Sequence, residues 1–161
     1  MQNNDIKIVV ATKKDLELIL AWRSHPDIYR YFRVQKGPLT WLEHISFWER
    51  RKNRIDFMVI YKEKQWRKVG TINISQLDEA SPAIGILVGE LTLQKKGVGS
   101  KALQLGLRWM QKKGFTQATA EIHKDNIASQ RLFEKLGFCK TNVFEKVWGI
   151  YVCNLHDRGE K

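Results

Sequence analysis

The feature that most narrows the fold of this chain is a glycine-bearing junction between a strand and a helix. Residues Ala83 to Val88 form an almost unbroken apolar run; Gln94-Lys95-Lys96-Gly97-Val98-Gly99-Ser100 follows shortly after, and a helical pattern then continues to about Lys113. Such an apolar run predicts a strand in the interior of a sheet, covered on both faces. Glycines at the junction let the backbone approach a ligand closely, because they carry no Cβ. The first N–H groups of the helix that follows have no intrahelical partner and carry the positive end of its dipole, so the junction suits an anion, phosphate above all. Lys95, Lys96 and Lys101 add positive charge around it. The same residues also fit an ordinary helix start with a solvated basic surface, so the motif needs support from elsewhere in the chain.

The elements on either side are legible from period and punctuation. Residues Ile6 to Ala11 read as a first strand. Thr12 with Asp15 then opens a helix carrying Leu16, Ile19, Leu20 and Trp22 at helical spacing. Pro26 interrupts, Asp27 to Phe32 forms a short turn, and Gly37-Pro38 breaks the chain again. Thr40-Trp41-Leu42-Glu43 is a capping box for a further helix, with Ile45, Phe47 and Trp48 as its expected buried positions. Ile55 to Lys62 and Val69 to Gln76 read as a hairpin. Beyond the glycine junction and its helix, Gly114 is a stop and Gln117 to His123 a strand. Asn126 caps a helix with apolar positions Ile127, Leu132, Phe133 and Leu136, ended by Gly137. Phe138 to Phe144 and Lys146 to Cys153 form a last antiparallel pair before a polar tail over residues 154–161. The order predicts an α/β (α+β) architecture, a mixed central sheet with helices on both faces, as one domain over residues 1–161.

Composition bounds the class. The chain has 161 residues, 43% hydrophobic and 28% charged, with a formal net charge of +11 and a pI near 9.8. That excess favours an anionic partner: nucleic acid, an acidic membrane surface, or a phosphorylated small molecule. The densest basic run, Arg50-Arg51-Lys52-Asn53-Arg54, falls at a helix C-terminus, where cations complement the dipole, so nucleic acid is the less favoured partner. No apolar run is long enough to span a bilayer, no basic-then-apolar leader opens the sequence, and a cytoplasmic setting is expected. Cys139 and Cys153 lie in no metal-ligand spacing, so no metal site is expected, and free thiols are the expected state.

Two segments together carry a family likeness. Gln94-x-x-Gly97-x-Gly99, after a strand and opening a helix, resembles the acyl-CoA signature of the Gcn5-related N-acetyltransferase (GNAT) superfamily. Asn126-Ile127-Ala128-Ser129-Gln130-Arg131-Leu132-Phe133-Glu134-Lys135-Leu136-Gly137-Phe138 is similar to that family's Asn-x-x-Ala/Ser-x-x-x-Tyr-x-Lys-x-Gly-Phe segment. The resemblance implies a sheet splayed between the strand before the glycine junction and the next strand, with acetyl-CoA as co-substrate. It implies that Leu91, Thr92 and Leu93 face the pantetheine and that Gln94, Lys95, Lys96, Gly97, Val98, Gly99 and Ser100 wrap the pyrophosphate. Asn126 would bond the pantetheine, and Ser129 would lie near the phosphates. The position usually held by the family's tyrosine, assigned as the acid for the departing thiolate, is Phe133 here. Phenylalanine has no proton to give, so another group does it, or water does, or the thiolate leaves without help; a thiol with a pKa of roughly 8.5 is a fair leaving group.

An amine acceptor must lose a proton before it attacks a thioester, and a carboxylate or histidine near the splay could take it. The candidates are Glu90, at the end of the strand leading to the junction, and Glu121 and His123, which share one face of the next strand. His25 and Asp78 are lesser candidates. Neither cysteine lies in the matching segments, which disfavours a covalent acyl-enzyme. The acceptor side would be built from Trp22 to Arg33 with Trp41, His44 and Trp48, where aromatics interleave with arginines suited to a base, a sugar or a phosphate. The Trp-Arg-x-His-Pro pattern also looks like the GNAT branch that acetylates nucleotide-linked amino sugars. A small-molecule amine, such as a nucleotide-linked amino sugar in the manner of that branch, is therefore the first expectation. A protein N-terminal amine and an aminoglycoside follow. Readings of another class are a basic nucleic-acid-binding module and a CoA-binding fold that no longer catalyses. A homodimer is compatible with all of these.

Overall fold

The apolar run Ala83–Val88 is strand β4, the middle of a seven-stranded sheet, in a computed structural model that describes residues 5–156. The other strands are β1 (Ile6–Val10), β2 (Arg54–Lys62), β3 (Trp66–Ser75), β5 (Gln117–His123), β6 (Cys139–Phe144) and β7 (Trp148–Asn154). Their order in the sheet is β1-β2-β3-β4-β5-β7-β6; β4 and β5 are parallel, and every other neighbouring pair is antiparallel. The helices are α1 (Leu16–Arg23), α2 (Pro26–Tyr29), α3 (Trp41–Arg50), α4 (Val98–Lys112) and α5 (Ile127–Lys135). The expected mixed sheet with helices on both faces is therefore present. The leader question at residues 1–4 and most of the expected polar tail, residues 157–161, lie outside the described residues.

The alternation of strand side chains divides the core in two. On one face Ile72, Ile74, Ile84, Ala118, Ala120 and Ile122 meet Ala102, Leu103, Leu107 and Met110 of α4 and Phe133 of α5. Leu103, Leu107 and Met110 are fully buried, each side chain contributing about 1.5–3 kcal/mol. On the other face Met58 and Leu87 meet Leu16, Ile19 and Trp22 of α1 and Trp48 of α3. The two layers thus converge on β4 from opposite sides, through Ile84 and through Leu87.

Local signals act where the sequence places them. Thr12 and Asp15 form a capping box on a 3-10 turn, Lys13–Asp15, that runs into α1; the Thr12 N–H donates to Asp15 at 2.8 Å. Thr40 and Glu43 do the same for α3, with Thr40 N–H to Glu43 at 2.7 Å. Two expected core positions are corrected. Phe47 is exposed, because the buried stripe of α3 is the i, i+4 pair His44 and Trp48. Ile127 is also exposed, because it is the first residue of α5, ahead of the turn that meets the sheet.

Candidate active site

Strands β4 and β5 pair at one register position only, Ala83 with Thr119, and then diverge toward their C-terminal ends. In an antiparallel ladder alternate residues turn both backbone groups toward the same neighbour. The Gly89 N–H donates to the Val69 carbonyl at 2.8 Å, which sets the phase of the β3–β4 ladder. Gly85 and Leu87 therefore direct their backbone groups to β3, while Ile86 and Val88 turn theirs toward the gap before β5. Such an edge inside a sheet can accept an extended ligand as an added strand. The resemblance named the residues after β4 for this role; the inner edge of β4 itself, at Ile86 and Val88, was not singled out. A continuous apolar run betrays a strand but not where its neighbour leaves it.

The junction after β4 is tighter than a loop. Leu91–Leu93 is a 3-10 turn with Glu90 as its cap. Leu93 is buried in the core and its N–H donates to Glu90 at 2.9 Å, so of the three residues expected at the ligand Leu91 and Thr92 are the exposed ones. Gln94, Lys95, Lys96 and Gly97 are exposed, Lys95 and Gly97 with φ of 61° and 82°. Helix α4 begins at Val98, so Val98, Gly99 and Ser100 form its first turn rather than a loop. Its first i to i+4 bond runs from Lys101 N–H to Gly97 at 3.1 Å, which leaves the N–H groups of Val98, Gly99 and Ser100 without an intrahelical acceptor. Thr40, Asn126 and His25 cap α3, α5 and α2 with their side chains. The N-terminus of α4 has neither a side-chain cap nor an acidic residue in its first turn. Its positive dipole end is thus open to an anion from outside the chain.

The β5 candidates stand on the face that carries α1 and α3. Glu121 meets Arg33 at 3.4 Å, and Arg33 also reaches Glu145 in the β6–β7 turn at 3.3 Å. The Arg33 guanidinium lies 4.5 Å from the centre of the Phe144 ring. His123 packs between Tyr31, with ring centres 5.6 Å apart, and Trp148, at 5.1 Å and edge-on. Its Nδ1 accepts the Asp125 N–H at 3.2 Å, so a neutral ring carries its proton on Nε2 and presents a donor there. Glu90 stands apart at the tip of β4, 4.0 Å from Arg67 on β3. Arg33 is 88 residues from Glu121 and 112 from Glu145, and the sheet order, which joins β5 to β7, brings Glu145 and Trp148 beside Glu121 and His123.

Other singled-out residues have structural occupations. Phe133 is buried and packs edge-on against Phe138 at 5.0 Å, as a core residue does. His25 Nδ1 accepts the Asp27 N–H and caps α2. His44 is buried, with Nε2 3.0 Å from the Leu16 carbonyl; burial, then the neighbouring Arg23, push its pKa below the ordinary imidazole value. The Asn126 side-chain oxygen accepts the Ser129 N–H at 3.2 Å and caps α5. Gly89 admits no side chain, since a Cβ there would lie 2.1 Å from the Trp22 ring. Among the described residues no group of three or more His, Cys, Asp or Glu is placed to hold a metal ion, Cys139 and Cys153 are not joined in a disulfide, and no helix is long and apolar enough to cross a membrane.

Three comparisons bear on this arrangement. The model of the acetyltransferase (GNAT) domain matches residues 6–139. A domain from Methanocaldococcus jannaschii of known crystal structure is 46% identical and superposes with a TM-score of 0.88, covering 92% of this chain and 97% of that one. An uncharacterized protein of the same organism is 46% identical over 154 residues, 94% of this chain but 32% of its own length, so the chain spans about a third of that relative. The spermidine N-acetyltransferase of Vibrio cholerae, in complex with CoA and spermine, is 13% identical with a TM-score of 0.78 over 94% of this chain and 96% of that one; it shares the fold.

Proposed function

The chain belongs to the acetyltransferase (GNAT) domain family, and on that premise we propose that it transfers an acetyl group from acetyl-CoA to a primary amine by direct attack, acting as a single domain. The observation that carries the reading is the opening between β4 and β5 directly beside the uncapped, acid-free N-terminus of α4. The gap suits an extended pantetheine and the helix end a pyrophosphate. The like-folded Vibrio enzyme binds CoA, which supports the same assignment.

In this reading acetyl-CoA supplies an activated acyl group as a thioester. The backbone groups of Ile86 and Val88, with Leu91 and Thr92, align the pantetheine, and Gln94 to Ser100 cradle the pyrophosphate through main-chain N–H groups. Asn126 keeps its amide nitrogen for the pantetheine, because its oxygen serves α5, and Ser129 lies on the phosphate side. The proton leaves the amine for a carboxylate, Glu90 at the tip of β4 or Glu121 on the acceptor face. His123, with its lone pair engaged by Asp125, acts as a donor that orients the acceptor. Holding amine and thioester in register makes the attack effectively unimolecular. With Phe133 in the core, another group or water protonates the thiolate, or it leaves without help.

For the acceptor we favour a small amine on a nucleotide-linked sugar, supported by the aromatic and arginine residues of the α1–α3 layer. A thermal melt with acetyl-CoA, followed by thiol release against an amine panel that includes such sugars, tests the proposal. The expected results are a raised Tm and turnover with a nucleotide-linked amine. No shift would remove the central claim, and turnover confined to peptide N-termini would replace the acceptor.

A further inference from the structure

We propose that Arg23, Arg51 and Arg54 form an anion subsite that takes a phosphate or pyrophosphate carried by the acceptor, remote from the amine that is acetylated. The inference deepens the acceptor reading above and rests on it.

The three arginines come from the end of α1, the residue after α3 and the start of β2. Arg51 and Arg54 converge on one carboxylate, Asp56, whose side chain is 10% exposed, and Arg23 stands within electrostatic reach of both Arg54 and Asp56. Arg54 alone satisfies it, with Nη2 to Oδ1 at 2.8 Å and Nε to both oxygens at 3.0 and 3.1 Å. Arg51 adds its Nε 3.3 Å from Oδ2, donates Nη1 to the Trp48 carbonyl, and sits over the Trp48 ring with its guanidinium carbon 3.3 Å from the ring centre. The Arg51 Nε is buried without a hydrogen bond. Arg23 donates Nε to Gln35 at 3.2 Å, and the buried Gln35 amide returns bonds to the Arg23 and Gly37 carbonyls at 2.7 and 2.8 Å. That network fixes the third guanidinium without giving it an acid. Burial and the like charge of Arg54 lower the Arg23 pKa, and Asp56 offsets them only in part.

Three guanidinium groups against one carboxylate leave two positive charges in a partly desolvated place. Cations held there without a counter-ion are costly, and an arriving dianion would relieve the cost. Guanidinium forks match phosphate oxygens in pairs. The side chains of Arg51 and Arg54 are 24% and 23% exposed, so a ligand reaches them without opening the core. Phe47 stands exposed between Arg23 and Arg54, with its ring centre 5.9 and 5.2 Å from them, and offers a flat face beside the charge. This accounts for the side chain that the sequence pattern assigned to the core.

The cluster is on the acceptor face. Asp56 is opposite Asn73 on β3, and Asn73 is opposite Gly85 on β4, two strands across and three residues before Val88. Strand spacing and rise put it on the order of 10–15 Å from the tip of β4. The acceptor is therefore an elongated molecule with its amine at one end and its phosphate some distance away. A compact amine lacking an anion would leave the cluster idle.

Calorimetric titration of inorganic pyrophosphate into protein saturated with CoA tests this. Wild type is expected to bind, Arg23→Gln to bind at least tenfold more weakly, and Arg23→Lys to recover part of the loss. Gly99→Asp, which alters the CoA cradle, is titrated without CoA and is expected to keep pyrophosphate binding at the cluster. A CoA-induced Tm shift retained in Arg23→Gln shows that the fold survives. Equal affinity in wild type and Arg23→Gln, or no binding in wild type, overturns the subsite; tighter binding of glutarate than of pyrophosphate overturns its assignment to phosphate. Arg23-dependent binding in a protein that turns over no amine would keep the subsite and sink acetyl transfer. Turnover with a KM unchanged by Arg23→Gln would do the reverse.

Discussion

Thr119 donates its backbone N–H to the Pro82 carbonyl at 2.9 Å, and its register partner Ala83 is the last residue at which β4 and β5 lie side by side. The cleft therefore opens from a fixed point at its closed end. Two separate core layers flank it, α4 and α5 on one face and α1 and α3 on the other.

Gly99 separates the demands of the fold from those of the ligand. A Cβ there would meet Leu132, Val88 and Ile86 at 3.5–3.6 Å, ordinary contact distances, so the protein alone has no need of glycine. Gly99→Ala is expected to keep the fold and raise its stability by up to about 1 kcal/mol through helix propensity, whereas Gly99→Asp should abolish the CoA-induced Tm shift. Gly97 is the contrary case. At φ 82°, Gly97→Ala should cost roughly 1–2 kcal/mol in a urea melt. Equal melts for the two alanine variants would contradict this division.

Glu90→Gln and Glu121→Gln identify the base. The variant that removes it is expected to lower kcat by about 10²–10⁴-fold and to lose the acidic limb of the pH–rate profile. The other should change the rate less than about tenfold, as loss of one exposed ion pair would. Mild effects from both would exclude Glu90 and Glu121 as the base.

Much of this was legible in the sequence, because the governing signals are local. The capping boxes Thr12/Asp15 and Thr40/Glu43, the glycine stops and the strand of Ala83–Val88 each act within a few residues. What escaped is what the sheet order assembles. Arg33 reaches Glu121 and Glu145 across 88 and 112 residues of chain. The basic run after α3 shows the same limit. It read as a surface feature of a helix end, and Arg50 does bond the Ser46 carbonyl, but Arg51 and Arg54 turn inward to Asp56, whose place on β2 period alone does not give.

Asp15 links the cap of α1 to the sheet. Its side chain is 5% exposed; burial pushes its pKa up, but the bonds from Lys68 and from Thr12 outweigh this and hold it below the ordinary aspartate value. Its contribution is present above an unfolded pKa of about 3.9 and is lost as pH falls through the folded value. Asp15→Asn should cost about 2 kcal/mol at neutral pH, measured by chemical denaturation. A loss that stays constant down to pH 2 would show that charge is not the cause.

His44 acts higher on the pH scale. Its folded pKa lies below the unfolded value of about 6.5, so the unfolded chain takes up the proton first. Stability is complete above about pH 6.5 and falls as pH drops toward the folded value. His44→Gln retains a donor for the Leu16 carbonyl and should flatten the melting profile between pH 5 and 7. An unchanged slope would place that titration on another group.

The contact between Gly89 and Trp22 has a consequence for redesign. The residue that ends the donor strand touches the tryptophan that anchors the acceptor layer, with no room for even a methyl group between them. Any attempt to enlarge the acceptor side by repacking Trp22 would also move the tip of β4. If the acceptor and the thioester bind as proposed above, selectivity for the amine and alignment of the thioester are mechanically joined, and directed evolution toward a new acceptor should recover compensating changes along β4.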